Sequence, residues 1–430
     1  MGTVGLYTLG CKVNQQETSA LASRFQAAGF VEVPFSTHAN IYVINSCAVT
    51  GEAERKSLSL ARRQKQRHPE SVVVLAGCFP QVSMEKATSA GVDLLVGSND
   101  KASIVELVSE RIQGRSTPAA VVTPWSGDTA FEVISDSYSS SRARATLKVQ
   151  DGCEQYCTYC IIPYARGRER SLNLETALAQ AKTLVAQGYK EIVLGGIHLG
   201  AYGRDLTPPA SLARLIGVVT ATDGLLRLRL GSVEPNDVTA ALLAQFAKNP
   251  KLCPHVHLPL QSGSNTVLRR MQRRYTAQDY VQIVQDLRAA VPDLAITTDV
   301  LVGFPGESEA EFQETVELVS RIGFSRLHIF RYSRRTGTPA AEMQSPVPAG
   351  VKTARAKALQ ALAEKEAHRF NSNLVGQEVE VLVESQAGDA YIGHTSNYVK
   401  AYLPSTHGAI GDIVTARVVA ATAEGVWASP

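Results

Sequence analysis

Two hydrophobic rhythms divide the chain. Residues 4–8, 41–44, 72–76 and 94–96 are short apolar runs rich in Val, Ile and Tyr, while 17–28, 53–68 and 102–112 carry the three-to-four spacing of amphipathic helices. Strands alternating with helices predict a doubly wound parallel sheet. Residues 114–144 lose this periodicity and fill with Ser, Thr, Pro and Gly, as a linker does. Beyond it, apolar runs at 146–149, 191–194, 226–230, 255–260, 295–302 and 326–330 alternate with helical patterns such as 174–187, 237–248, 277–290 and 308–322. Six such units are too few for a closed (βα)8 barrel, which takes about 250 residues. A partial (βα)6 TIM-like barrel is expected instead, with its functional edge at the C-terminal ends of the strands. A helical pattern at 351–370 then leads to β-like runs at 378–383, 391–394, 397–402 and 413–419, with Gly and Asp at the turns, which fit a small all-β barrel. The fold class is α/β overall, with expected domains at 1–125, 140–370 and 371–430.

Composition narrows this picture only slightly. The 430 residues are 44% hydrophobic and 19% charged, an ordinary globular balance. A net charge of +3 makes no case for nucleic acid in bulk, so an RNA-binding surface has to come from local clustering. No apolar stretch approaches the length of a membrane span, and residues 1–10 do not read as a signal peptide. A cytoplasmic protein with no membrane partner is expected. Thiols stay reduced there, so the seven cysteines read as ligands, catalytic groups or core residues.

The sharpest chemical signal is Cys153-Glu-Gln-Tyr-Cys157-Thr-Tyr-Cys160, directly after the first expected barrel strand. Three soft thiolates at this spacing can wrap one face of an iron–sulfur cubane and leave one of four irons open. The plain alternative is a zinc site or three buried thiols, but zinc wants a fourth ligand nearby and none follows closely. A second constellation is scattered. Cys11, Cys47 and Cys78 each follow an expected strand of the first domain, and the ends of parallel strands share one sheet edge, where ligands bind. Three core cysteines are the alternative reading. Cys253 opens a buried-looking strand and reads as a core thiol; His198, His255 and His257 read as packing or cleft residues.

The triplet, with Tyr159 before its third cysteine, resembles the radical S-adenosylmethionine (SAM) superfamily. Leu194-Gly195-Gly196 and Asp299-Val300-Leu301-Val302-Gly303-Phe304-Pro305-Gly306-Glu307 are similar to that superfamily's Gly-rich and adenine-side strand ends. Thr8-Leu9-Gly10-Cys11-Lys12-Val13-Asn14, Asn45-Ser46-Cys47-Ala48-Val49-Thr50 and Ala76-Gly77-Cys78 resemble the N-terminal domain of the methylthiotransferases, and the last domain resembles the RNA-binding TRAM barrel. The resemblance implies two 4Fe–4S clusters, on Cys153, Cys157 and Cys160 and on Cys11, Cys47 and Cys78. It further implies SAM contacts from Tyr159, Gly195, Gly196, Ser232, Glu234, Asp299 and Val302, and a flavodoxin- or ferredoxin-like electron donor. No separate catalytic residue is singled out.

Arginines supply the expected RNA surface. Arg166, Arg168 and Arg170 follow the cluster loop, and Arg331, Arg334 and Arg335 flank Tyr332 at the end of the last barrel strand. Arg166, Arg168, Arg334 and Arg335 are the candidates for substrate phosphates or a substrate carboxylate. The clusters at 269–274 and 62–68 are weaker, the latter a solvated helix face. The wording Leu9-Gly10-Cys11-Lys12-Val13-Asn14-Gln15, Gly195-Gly196-Ile197-His198-Leu199-Gly200-Ala201-Tyr202-Gly203 and Gly231-Ser232-Val233-Glu234-Pro235 is closest to the MtaB-like subgroup, implying methylthiolation of threonylcarbamoyladenosine at tRNA position 37. Relatives acting on isopentenyladenosine or on a ribosomal protein are the alternatives. A non-catalytic iron–sulfur RNA-binding protein is the reading outside this class.

Overall fold

The structure is a computed structural model; it describes residues 2–127, 129–134, 143–405 and 408–429. Residues 128 and 135–142 of the expected linker lie outside the described residues. The chain forms two compact units. One, the sheet unit, combines residues 1–140, 150–172 and 333–341; the other, the barrel unit, combines 141–149, 173–332 and 342–430.

In the sheet unit, β1 (Thr3–Thr8), β2 (Val31–Val33), β3 (Ile41–Ser46), β4 (Val72–Gly77), β5 (Leu94–Val96) and β6 (Ala120–Val121) form one parallel sheet in the order β2-β1-β3-β4-β5-β6. Alternate strand residues feed two cores. Val4, Ile41, Val43, Val74 and Val96 pack with Leu21, Phe25 and Val108 on one face. Tyr42, Ile44, Val73 and Leu75 pack with Leu58, Ala61 and Phe79 on the other. The order reverses between β1 and β3, so this is a doubly wound sheet with its switch point there. Two strands escape the hydrophobic pattern. Val31–Val33 is a half-exposed edge strand, and Ala120–Val121 is two residues long. The first helix is Lys12–Ala27, longer than its apolar stripe, and short helices Cys78–Val82 and Met84–Thr88 follow β4. A small antiparallel pair, β8 (Gln150–Asp151) and β9 (Arg170–Ser171), frames the Cys153–Cys160 loop.

In the barrel unit, β7 (Ala145–Lys148), β10 (Glu191–Gly195) and β11 (Arg227–Leu230) pair in parallel, as do β12 (His255–His257), β13 (Ala295–Val302) and β14 (Arg326–Arg331). Bridges Leu228–Leu252 and Ser232–His257 join the two halves, giving six strands in sequence order. Helices Leu174–Ala186, Leu212–Thr220, Ala240–Lys248, Ala277–Ala290 and Glu309–Ile322 cross between them. Their starts are chemically fixed: Thr276 with Asp279, and Ser308 with Glu311, form capping boxes.

The last segment closes into a five-stranded barrel of β15 (Glu378–Ala387), β16 (Ala390–Thr395), β17 (Lys400–Pro404), β18 (Ile413–Ala421) and β19 (Val426–Ser429). The fifth strand, four residues with one exposed Trp, is absent from the sequence-based reading. This closed barrel is held to the parallel one by charge. Arg229 is fully buried, donates to Glu191 (2.7 Å) and to the carbonyls of Thr395 and Ser396, and stacks on Tyr398. Arg227 reaches Glu380, Arg144 reaches Glu384, and Lys190 reaches Asp412.

Candidate functional site

Cys11, Cys47 and Cys78 follow three adjacent strands, β1, β3 and β4, at one edge of the sheet and across its switch point. Backbone geometry draws them together. Gly10 takes φ +108°, and a Cβ on it would stand 2.8 Å from the Cys47 Cβ and 3.1 Å from its Sγ. Gly77 takes φ +102° before Cys78. Only glycine tolerates both demands without strain. Asn14 then ties the edge together: its Nδ2 donates to the carbonyls of Leu9 (2.8 Å) and Ser46 (3.0 Å), and its Oδ1 lies 3.9 Å from the Cys11 Sγ. Asn45 answers by donating to the Asn14 carbonyl.

Cys47 lies within electrostatic reach of the other two thiols. Burial pushes the Cys47 thiol up to about 12, and nearby Cys78 and Cys11 push in the same direction. Cys78 is buried as well, whereas Cys11 is exposed. Three soft sulfur donors gathered at one sheet edge are a donor set that suits an iron–sulfur centre. Among the described residues, no three His, Cys, Asp or Glu groups are spaced for one shared metal ion. Thiolates of a cubane sit on separate irons and so stand farther apart.

The Cys153–Cys160 loop belongs to the same unit. Its start is locked by Gly152 at φ +77°, because any side chain there would collide with the Arg168 carbonyl. The Cys153 N–H donates to the Gly167 carbonyl, and the Cys160 N–H to that of Cys157. Gly167 in turn lies against the Trp125 ring, over which Arg170 stacks. Cys157 is buried; Cys153, Tyr159 and Cys160 are half-buried.

Arg166 overturns its sequence-based assignment. It was expected to face RNA, yet it is fully buried, and its guanidinium is consumed by the interior. Nε donates to the Cys78 Sγ at 3.3 Å, one terminal nitrogen reaches Glu17 (2.5 Å) and Asp151 (3.3 Å), and the other reaches Asn14 (2.5 Å) and Glu17 (3.0 Å). Lys101 pairs with the same Glu17, and Arg170 lies 3.5 Å from Asp151. The sequence names Asn14 only as part of the Cys11 motif and gives no role to Glu17 or Asp151. The signal for Asn14 and Glu17 is the spacing Cys11-x2-Asn14-x2-Glu17, one helix face pointing back at the cysteine.

Arg335 is corrected likewise: it is buried and ion-paired with Glu54. Arg168 is exposed, in contact with Glu154, and Arg334 is exposed. Tyr332 is buried against Phe304 and offers no open ring to a base. In the 269–274 cluster, Arg270 pairs with Glu311 and Arg273 with Glu234.

On the barrel unit, Gly195, Gly196, Ser232, Glu234, Asp299 and Val302 all fall at or near the C-terminal ends of β10, β11 and β13. Gly195 lets β10 pass Thr146 closely: a Cβ would meet its methyl at 3.1 Å. Asp299 lies 3.3 Å from His257 Nε2. Buried His198, in the Gly-rich stretch after β10, contacts Asp237 at 2.6 Å, and Arg204 takes the other Asp237 oxygen.

The closed barrel carries little phosphate-binding charge. Residues 373–430 contain Lys400 and Arg417 against Glu378, Glu380, Glu384, Asp389, Asp412 and Glu424. Its RNA-compatible feature is aromatic: Trp427, half-exposed, stacks on Tyr402 at 4.7 Å, with Lys400 over the Tyr402 ring. Among the described residues, no helix is long and apolar enough to cross a membrane.

Comparison with known proteins agrees with this layout. Residues 147–319 match the Radical SAM superfamily, residues 3–97 the Uncharacterized protein family UPF0004, and residues 373–424 the TRAM domain. The chain is 39% identical to the threonylcarbamoyladenosine tRNA methylthiotransferase MtaB of Bacillus subtilis, over 98% of this chain and 94% of that one. It is 40% identical to the MtaB of Thermotoga maritima, over 99% and 96%. It is also 36% identical to the tRNA-2-methylthio-N(6)-dimethylallyladenosine synthase of Moorella thermoacetica, over 97% and 96%. Among solved structures, the radical SAM methyltransferase TsrM of Kitasatospora setae superposes with a TM-score of 0.59 at 16% identity, covering 79% of this chain and 74% of that one, a likeness of fold. With whole-length relatives of one chemistry and all three matched regions in order, the chain belongs to the radical SAM methylthiotransferase family.

Proposed function

We propose that this enzyme adds a methylthio group at C2 of N6-threonylcarbamoyladenosine at position 37 of tRNA. The observation that carries the substrate is the whole-length similarity, at 39–40% identity, to two proteins named for that nucleoside, against 36% for the dimethylallyladenosine type. By sequence we assign residues 1–125 to the methylthiotransferase domain, 140–370 to the radical SAM domain and 371–430 to the TRAM domain, although 150–172 and 333–341 belong to the sheet unit.

Cys153, Cys157 and Cys160 would hold one 4Fe–4S cluster, the one that meets SAM. Cys11, Cys47 and Cys78 hold the second, an assignment supported by their shared sheet edge and mutual electrostatic influence. When bound beside the first cluster, SAM would supply the methyl group and the radical chemistry of the reaction. Tyr159, Gly195, Gly196, Ser232, Glu234, Asp299 and Val302 are its proposed contacts. Gly152 and Gly167 fix the loop that carries the first triplet, and Asn14 fixes the edge that carries the second. Arg168 and Arg334 remain the candidates for the substrate's phosphates or carboxylate, because both are exposed. An anticodon-loop adenosine can be splayed out to reach such a site, and a duplex base cannot. The setting is the cytoplasm, with a flavodoxin- or ferredoxin-like donor.

The test is anaerobic turnover on two anticodon stem-loops that differ only in carrying threonylcarbamoyl- or isopentenyladenosine, read by nucleoside mass spectrometry. Methylthiolation of the first alone is expected. Equal rates, or preference for the second, overturns the substrate assignment.

A further inference from the structure

We infer that Arg166 is a positioning residue of the second cluster, setting its reduction potential and tying its ligands to the Cys153–Cys160 loop. The inference rests on the ligand assignment of Cys11, Cys47 and Cys78 and goes beyond it. Three observations carry it. First, the Arg166 Nε–H donates to the sulfur of a proposed ligand, Cys78, at 3.3 Å. Hydrogen bonds to cluster sulfurs and local charge are the protein's main means of tuning an iron–sulfur potential. Second, the guanidinium is sealed from solvent and cannot be deprotonated, so its charge acts at low dielectric whatever the pH. Lys101 and Arg170 add cations on the carboxylates Glu17 and Asp151, so Arg166 does not face them alone. A fixed cation at the sulfur favours an anionic neighbour. A 2+ cubane on three thiolates carries net −1, and reduction makes it more negative, so the network stabilises the reduced state more than the oxidised one.

Third, the fork spans both cysteine sets. Arg166 ends the helix Ile162–Arg166, two residues after Cys160 at its start, and Asp151 precedes Cys153 by two. Asn14 and Glu17 lie on the helix that Cys11 caps. One planar group with five donors holds these segments at once; a lysine ammonium, a single point charge, cannot reproduce that geometry. Lys101 meets Glu17, and Arg170 meets Asp151 and the Arg166 carbonyl.

The experiment uses the full chain with Cys153, Cys157 and Cys160 all changed to Ala, reconstituted anaerobically, so that the second cluster is observed alone. Its iron and sulfide content and its EPR-monitored midpoint potential are measured with Arg166, Arg166→Met and Arg166→Lys. Iron content in the Arg166 background tests the ligand assignment; if it holds no cluster, that assignment fails and the inference falls with it. If it holds one, Arg166→Met is expected to lower the midpoint by at least a tenfold change in the one-electron equilibrium, 59 mV. Arg166→Lys is expected to fall between. A loaded Arg166→Met protein with an unshifted midpoint overturns the inference while leaving the ligands intact. Should Arg166→Met fail to load, Arg166→Lys decides: a lowered midpoint supports the inference, an unshifted one overturns it.

Discussion

Arg166 and Arg229 are two fully buried arginines, each beside a cysteine, and they teach opposite lessons. Arg229 spends its donors on Glu191 and on two backbone carbonyls of the closed barrel, and its cysteine neighbour, Cys253, is solitary. Burial pushes the Cys253 thiol up to about 11, as for an inert core sulfur. Arg166 also pairs with carboxylates, but it donates directly to sulfur, and that sulfur is one of three at a sheet edge. Burial of an arginine therefore signals nothing by itself. What the remaining donors meet, carbonyls or thiols, separates a structural rivet from a group poised toward chemistry.

The largest effect expected from this contrast lies in the cysteines. Cys47→Ala should retain SAM cleavage and lose methylthio transfer entirely, whereas Cys253→Ala should keep both. Product assays on the two variants check this, and wild-type transfer by Cys47→Ala would erase the distinction. Next comes stability. Arg229→Ala leaves Glu191 short of its closest partner in a buried setting, which costs about 3–5 kcal/mol. Urea unfolding should record that loss, while iron content per folded molecule stays unchanged.

A smaller effect probes a charged contact within the barrel unit. Burial acts to raise the Asp237 carboxyl, but the hydrogen bond and charge of His198, joined by Arg204, hold it below its ordinary 3.8. A depressed carboxylate contributes stability that is full above the unfolded value and is lost as pH falls through the folded one. Asp237→Asn should thus be about 1.5–3 kcal/mol less stable at neutral pH, the range for hydrogen bonds to a charged group. The gap should close below pH 3.8, and a gap independent of pH would show that packing, not charge, holds the residue. Smallest is Trp427→Ala. If the closed barrel meets tRNA by stacking, affinity should fall by about 1–2 kcal/mol, with the salt dependence unchanged. A flattened salt dependence would mean that phosphate contacts dominate there after all.

The local triplet was legible because its cysteines are neighbours in sequence, and the six barrel strands because each is a clear apolar run. The scattered triplet was legible one step further away, through strands ending on a common edge. What failed was long-range polar pairing. Nothing local distinguishes Arg166, which faces Glu17 across 149 positions, from Arg168, which faces solvent. The same holds for Arg335 and Glu54. The strands Val31–Val33, Ala120–Val121 and Val426–Ser429 escaped because two to four residues carry too little alternation to stand out. The start of Lys12–Ala27 escaped because Cys11, at its N-cap, is not a capping residue type and makes no side-chain capping bond to mark it.

The sheet unit's three separated segments have a consequence for biosynthesis. Glu17 leaves the ribosome 149 residues before Arg166, and at translation rates of about 5–20 residues per second this is a delay of roughly 7–30 s. Glu54 waits longer still for Arg335. During that interval Cys11, Cys47 and Cys78 already exist on a nascent sheet whose buried carboxylates lack their arginines, though Lys101 arrives early enough to shield Glu17 in part. Until residue 166 has been made, the Cys78 sulfur lacks the donor it meets in the folded chain, so the sheet unit completes its polar interior only once the Cys153–Cys160 loop has also been synthesised.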